Sequence, residues 1–163
     1  MIARDDIFKI LGRVSVLFST LEAEIAKLLC VLVHQEEPML AATVLERNSF
    51  ARNLELLKKV ARFRDTRIES RVNRLLAITS PLIENRNLFV HGCWDISHKL
   101  LDQGKVKVSG WKKVSYQGNE SRKTWRKGTD RTLTYQELRE YQAEVMRALK
   151  MTKELLQILE NDT

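Results

Sequence analysis

The sequence has few of the residues that mark secreted, membrane-spanning or disordered proteins. Its 163 residues include two cysteines, two prolines and six glycines, and 7% are aromatic. Two cysteines without a Cys-x-x-Cys spacing provide no disulfide framework, and so little proline and glycine is unlike a disordered segment. No apolar run approaches the ~20 residues of a membrane span, and the first six residues lack the basic-then-apolar pattern of a signal peptide. We therefore expect a globular, cytoplasmic protein with no membrane partner.

Apolar residues recur at helical spacing over most of the chain. In residues 5–34 they lie three or four positions apart, which predicts one long helix. Pro38 and Ser49 are favoured at helix starts and predict a second helix to about residue 47 and a third to about residue 63. A fourth helix is predicted from about residue 65. Pro81 either kinks it or begins a new helix that ends at residue 91, and we expect a kink.

After residue 92 the helical spacing gives way to strand-forming residues separated by glycines, which predict an antiparallel hairpin or three-stranded flap. Thr134 and Glu137 then form a Thr-x-x-Glu capping box that begins the last helix. The strands are expected at residues 93–97, 105–116 and 123–133. The predicted fold is an all-α bundle of four to five helices in a single domain, residues 1–163. A small antiparallel β flap, residues 93–133, is inserted before the last helix.

Positive charge is concentrated in two segments of a chain whose net charge is +7. Residues 97–131 hold ten Lys and Arg against three Asp and Glu, and residues 47–74 hold nine against three. Because like charges repel, such concentration indicates a polyanionic partner. The flap cations that we expect to contact nucleic acid are Lys112, Lys113, Arg122, Lys123, Arg126 and Lys127.

Three tryptophans accompany these cations, Trp94 at the root of the flap and Trp111 and Trp125 within it. Their rings could stack on unpaired bases beside the cations. The alternative is that they pack against the helices. We favour packing, because large aromatic residues in a small sheet usually anchor it.

The strongest candidate for chemistry is the segment of residues 84–94, Glu-Asn-Arg-Asn-Leu-Phe-Val-His-Gly-Cys-Trp. On a helix, Asn87 and His91 lie one turn apart on the same face, and the long side chain of Arg86 can bend over that face. Gly92 fits the left-handed residue that often ends a helix. His91 would then lie in the last turn, where the helix dipole favours a cationic imidazolium suited to act as a general acid.

These three polar residues also have a purely structural interpretation. His91 would cap carbonyl groups at the helix end, Arg86 would pair with an acid such as Glu84, and Asn87 would make a local hydrogen bond. That interpretation explains each residue singly, but not why all three meet beside a basic surface.

Other kinds of site have little support, and we expect neither a metal nor another cofactor. His34 and Glu37 are three residues apart, but no second cluster of ligands accompanies them. The sequence contains no glycine-rich phosphate loop, Gly-x-Ser-x-Gly elbow or His-Glu-x-x-His motif.

The segment with Arg86, Asn87 and His91, followed by glycine and tryptophan, resembles the Arg-x4-His signature of HEPN domains. It is most similar to small bacterial members, many of them uncharacterised or linked to toxin–antitoxin and phage-defence loci. The resemblance covers residues 5–94 and 134–160 and leaves out the basic insert.

The resemblance implies a metal-independent endoribonuclease whose motifs meet in the cleft of a homodimer. His91 would be the general acid or base for attack by a ribose 2′-hydroxyl, Arg86 would hold the phosphate, and Asn87 would orient either group. One alternative is a non-catalytic module that binds nucleic acid, a nucleotide or a regulatory protein. Another is an antitoxin or complex subunit with a nucleotidyltransferase-like partner.

Overall fold

The computed structural model describes residues 3–34, 36–45, 48–115 and 123–161, with the backbone alone at 38, 44, 84, 111–115 and 123–129. Within these residues the chain is mainly helical and carries one small antiparallel sheet, as predicted. The six helices are α1 (Arg4–Val33), α2 (Pro38–Leu45), α3 (Phe50–Ala61), α4 (Thr66–His91), α5 (His98–Leu101) and α6 (Tyr135–Asn161). The three strands are β1 (Cys93–Asp95), β2 (Lys105–Ser115) and β3 (Lys123–Thr134).

The chain groups into two compact units. The first comprises Met1–Ser15 and Glu84–Tyr141, and the second comprises Val16–Ile83 and Gln142–Thr163. Helices α1, α4 and α6 each contribute residues to both units.

The second unit is helical, and its buried residues follow the predicted helical spacing. Ser49 caps α3 as expected, since its hydroxyl accepts the N–H of Arg52 at 3.2 Å. Helix α3 ends at Ala61, two residues before the predicted end. The largest fully buried side chains of this unit are Phe18, Leu21, Ile25, Leu28, Leu29, Leu32, Leu57, Ile68, Leu75 and Leu82.

Helix α4 continues through Pro81 without interruption. Pro81 has no N–H, so the helix lacks one backbone hydrogen bond there. Because α4 is one helix from Thr66 to His91, the alternative in which Pro81 begins a new helix is wrong.

Arg64 stabilises the end of α1 in the second unit. Its Nη2 donates a hydrogen bond to the carbonyl oxygen of Leu32 in the last turn. The last carbonyls of a helix have no partner within the helix, and a cation near them is favoured by the helix dipole. No local sequence signal predicted this contact, because 32 residues separate the two partners.

In the first unit, β1, β2 and β3 form an antiparallel sheet in that order. The inner part of the sheet is anchored by Val106, Val108 and Leu133, which are buried, and Val106 pairs with Leu133. The register shifts between Ser109 and Trp111, so a bulge separates the inner part from the outer part of the hairpin. The four-residue helix α5 between β1 and β2 was not predicted.

The start of α6 confirms the predicted capping box. The N–H and hydroxyl of Thr134 donate to Glu137 Oε2 at 2.7 and 2.9 Å. In return, the N–H of Glu137 donates to Thr134 Oγ1 at 3.2 Å. These hydrogen bonds from Thr134, reinforced by the charge of Arg131, lower the pKa of Glu137.

Replacing Arg64 with alanine is expected to lower the free energy of unfolding by about 2 kcal/mol, because a charged hydrogen bond to a partly buried carbonyl is lost. Urea denaturation followed by circular dichroism measures the change. Arg74→Ala, at an exposed position of α4, is the matched control and should change stability by less than ~0.5 kcal/mol. Equal effects of the two variants would contradict the role of Arg64.

Replacing Glu137 with alanine is expected to cost about 1 kcal/mol at pH 7, the typical value of a helix cap. The folded-state pKa of Glu137 lies below its usual value, so its contribution is complete above the unfolded-state pKa. It is then lost as the pH falls through the folded-state pKa. The difference in stability between wild type and variant should therefore decrease as acid protonates Glu137 in the folded protein. Glu144→Ala, at an exposed position of α6, is the control, and a difference that acid does not reduce would contradict this account.

Candidate functional site

The polar motif lies in the last two turns of α4, within the first unit. Arg86 Nη1 donates to Asn87 Oδ1 at 3.1 Å and lies 3.5 Å from His91 Nε2. The guanidinium thus bends back over the last turn and reaches His91, as its length predicted. A single nitrogen of Arg86 brings the three side chains together.

The contact between Arg86 and His91 constrains the histidine's protonation. A guanidinium carries only donors, so Arg86 can hydrogen-bond His91 only where Nε2 presents its lone pair. In this arrangement the proton of a neutral imidazole is on Nδ1. A substrate can deliver a proton to Nε2 only by displacing Arg86 from that lone pair.

The three motif residues differ in exposure. His91 and Asn87 are exposed, whereas Arg86 is half-buried. A ligand from solvent can thus reach the imidazole and the amide directly. Asn87 contacts Arg86 through its carbonyl oxygen, so it orients the guanidinium. The structural interpretation paired Arg86 with an acid such as Glu84, whose side chain lies outside the described residues.

Glycine is needed at position 92 for a steric reason, and not for the left-handed conformation that was predicted. In the described part of the chain the only glycine with a positive φ is Gly104, at 67°, so the expected left-handed conformation of Gly92 is wrong. A Cβ at Gly92 would collide with the carbonyl oxygen of Leu88 and lie 2.5 Å from Val108 Cγ2. Glycine is required there because the side chain of β2 packs directly on the backbone of the helix end.

Aromatic contacts hold the same helix end from other sides. Phe89 stacks on Tyr141 with ring centroids 4.3 Å apart, and it meets Trp94 edge to face at 5.1 Å. Trp94 Nε1 also donates to the carbonyl oxygen of Phe89 at 3.3 Å. Trp94 is therefore an anchor of the motif, as we favoured. The side chains of Trp111 and Trp125 lie outside the described part of the structure.

Arg131 adds a contact that the sequence did not reveal. Its Nη1 donates to Asn85 Oδ1 at 2.5 Å, which joins β3 to the residue immediately before Arg86. The charge of Arg131 also acts on Glu137. Arg131 was counted among the flap cations, but only the tertiary structure shows that it contacts the motif helix.

The predicted nucleic-acid contacts fall on the outer part of the hairpin. The backbones of Lys112 and Lys113 lie in β2, paired with those of Arg126 and Trp125 in β3, and Ser115 pairs with Lys123. Lys127, also in β3, pairs with Trp111. The side chains of these five cations, and Arg122 entirely, lie outside the described residues. Their contact with nucleic acid stays a prediction.

The remaining metal-ligand side chains do not converge in the described part of the chain, which contains no group of three or more His, Cys, Asp or Glu arranged to hold a metal ion. His34 Nδ1 instead accepts the N–H of Glu37 at 2.9 Å. Cys30 is buried, which raises the pKa of its thiol, and Cys93 is exposed; neither is in a disulfide. Among the described helices, none has the length and apolar character needed to cross a bilayer.

Comparison with known proteins finds no match to a protein family, to a curated protein or to a solved structure. The resemblance of the motif to HEPN domains therefore stays a prediction.

Replacing Gly92 with alanine is expected to lower the free energy of unfolding by about 1–3 kcal/mol, the usual cost of overpacking. Gly12 in α1 provides the matched control, since a Cβ there would meet nothing within 4 Å. Gly12→Ala should stabilise the protein by about 0.5–1 kcal/mol through helix propensity. Thermal denaturation of both variants measures these opposite changes in stability. If Gly92→Asn were tolerated better than Gly92→Ala, a left-handed conformation would explain the glycine instead.

Proposed function

We propose that this protein is a metal-independent endoribonuclease of the HEPN type, in which Arg86, Asn87 and His91 cleave RNA. The observation that carries the proposal is the position of Arg86 Nη1, between Asn87 Oδ1 and His91 Nε2 at an exposed helix end. A permanent cation thus lies next to a proton acceptor. Cleavage by a ribose 2′-hydroxyl is accelerated when a base takes the hydroxyl proton and a cation stabilises the charge that develops on the adjacent phosphate.

In the proposed reaction, the substrate 2′-hydroxyl displaces Arg86 from His91 Nε2. Nε2 then accepts the proton of that hydroxyl, and the 2′-oxygen forms a bond to phosphorus. The bond from phosphorus to the 5′-oxygen breaks, and that oxygen takes up a proton. The products are a 2′,3′-cyclic phosphate and a 5′-hydroxyl. Arg86 stabilises the additional negative charge on the phosphate oxygens, and Asn87 keeps the guanidinium in place. DNA lacks the nucleophile and is not a substrate.

The reaction needs a proton donor as well as a proton acceptor, and each chain supplies one motif histidine. We propose that a second copy of the chain supplies the other, in a homodimer assembled at the motif. The exposure of Val90, 41%, supports this assembly because an apolar side chain adjoining His91 is available to an interface. A role as a toxin or defence protein, with a nucleotidyltransferase-like antitoxin partner, stays a prediction from the resemblance.

A non-catalytic RNA-binding module is the second candidate. It is favoured by the same contacts, because Arg86 already makes hydrogen-bonding contacts with Asn87 and His91 within a single chain. In that case the motif would provide a surface for phosphate without turning over RNA.

Replacing His91 or Arg86 with alanine is expected to lower RNA cleavage at least about 100-fold, the lower range of a general acid–base contribution. The measurement is incubation with a labelled single-stranded RNA in EDTA, followed by analysis of the product ends. Wild type should give cyclic-phosphate ends. Both variants should still bind the RNA in a gel shift.

The matched controls are His98→Ala and Arg139→Ala, which change exposed residues of the same unit and should leave cleavage unchanged. Degradation that is equal in wild type and His91→Ala would refute the proposal. Intact RNA that is nevertheless shifted by wild type would select the binding module.

A further inference from the structure

A second charged surface lies in the second unit, at the corner where α3 meets α4, residues 58–74. Phe63 at this corner is 89% exposed, the largest fraction among the large apolar residues of the described chain. Isolated exposed apolar residues are common on protein surfaces. Phe63 differs from such isolated residues in two respects. Backbone hydrogen bonds hold the turn that carries it, and several Lys and Arg residues are near it in the sequence.

Hydrogen bonds on both sides of Phe63 define the corner. The N–H groups of Phe63 and Arg64 donate to the carbonyls of Val60 and Ala61 at 3.0 and 3.1 Å, so the chain continues α3 as a tight turn. Asp65 then caps α4, because its Oδ1 accepts two backbone N–H groups of the first turn. The phenyl ring thus projects into solvent from a well-defined turn.

One acidic residue near the corner, Glu55, is already paired with two cations. Glu55 accepts hydrogen bonds from Lys59 at 2.8 Å and Arg52 at 2.6 Å, which lower its pKa. Residues 48–74 carry eight Lys and Arg against three Asp and Glu. The excess positive charge of this surface is therefore not neutralised locally.

The cations of the corner follow helical spacing. Arg67, Arg71 and Arg74 are separated by four and three residues and so lie along one stripe of α4. Lys58 and Arg62 lie one turn apart at the end of α3. All five are exposed. In the described chain, no acidic side chain lies within ion-pair distance of Lys58, Arg62, Arg71 or Arg74.

We propose that the α3–α4 corner binds single-stranded nucleic acid, with Phe63 stacked on an unpaired base and Arg71 and Arg74 in contact with phosphates. An exposed ring at the turn from which a row of cations begins is a combination that proteins use to bind single-stranded nucleic acids. A duplex would engage the cations but leave the ring unused, because its bases are already stacked. The inference rests on the proposed function in taking RNA as the natural ligand, and it specifies the unpaired form of that RNA.

The test measures binding of a labelled oligodeoxyuridylate by fluorescence anisotropy with the full-length protein. This ligand has no 2′-hydroxyl, so a dissociation constant is obtained whether or not the protein cleaves RNA. Phe63→Ala should bind about tenfold more weakly, the effect of one lost stacking contact, and Phe63→Trp should restore binding. Phe8→Ala, at the other exposed phenylalanine, should bind like wild type.

A second variant tests the cations separately. The double substitution Arg71→Gln, Arg74→Gln should reduce the slope of log affinity against log salt by about 1.4, since each phosphate contact to a single strand contributes about 0.7. An unchanged slope, or unchanged affinity of Phe63→Ala, would overturn the proposal. A change in the oligomeric state of Phe63→Ala by light scattering, with unchanged affinity, would instead assign Phe63 to a protein interface.

The outcomes of the two proposals are separable. Loss of oligodeoxyuridylate binding in Phe63→Ala by a protein that never cleaves RNA would support the corner and refute the nuclease. Cleavage that depends on His91, with oligodeoxyuridylate binding that does not change in Phe63→Ala, would support the nuclease and refute the corner.

Discussion

The first unit depends on one close approach, where the side chain of Val108 in β2 packs against the backbone at Gly92. This approach has room for no side chain at residue 92, because the Leu88 carbonyl and Val108 would both overlap with a Cβ there. It fixes where the sheet meets the end of α4, and therefore where the last helical turn presents His91. The contacts of Trp94 with Phe89 and of Arg131 with Asn85 hold the same junction from two further directions.

The motif geometry follows from two levels of structure. Helical periodicity brings Asn87 and His91 to one face, and the length of the arginine side chain carries Nη1 across to both. Tertiary contacts determine whether such a cluster stays at the surface. Phe89 supplies the apolar contact of the helix end by stacking on Tyr141. The exposed polar residues are therefore not needed to pack the helix against its neighbours. Polar residues are thus held at the surface by an apolar anchor in the same turn.

Local signals predicted much of the fold. The caps at Ser49 and Thr134 were predictable because they involve residues three positions apart. The contacts Arg131–Asn85 and Arg64–Leu32 were not, because their partners are distant in sequence. Gly92 shows the difference within one residue. Glycine was correctly noted at a helix end, but its cause is the Leu88 carbonyl four residues earlier together with Val108, a strand residue sixteen positions later. Of the candidate site, the proximity of Arg86 to His91 was predictable from helix geometry, whereas its junction with the sheet was not.

The bulge between Ser109 and Trp111 has an evolutionary consequence. Strand β1 pairs only with residues 107–109 of β2, so the hairpin beyond the bulge is a two-stranded ribbon. Changes of sequence or length in that ribbon alter none of the pairs that position the end of α4. The ribbon can therefore diverge quickly between related proteins while the motif and its supporting junction stay constant. The ribbon and the motif are thus structurally separable stretches of one chain.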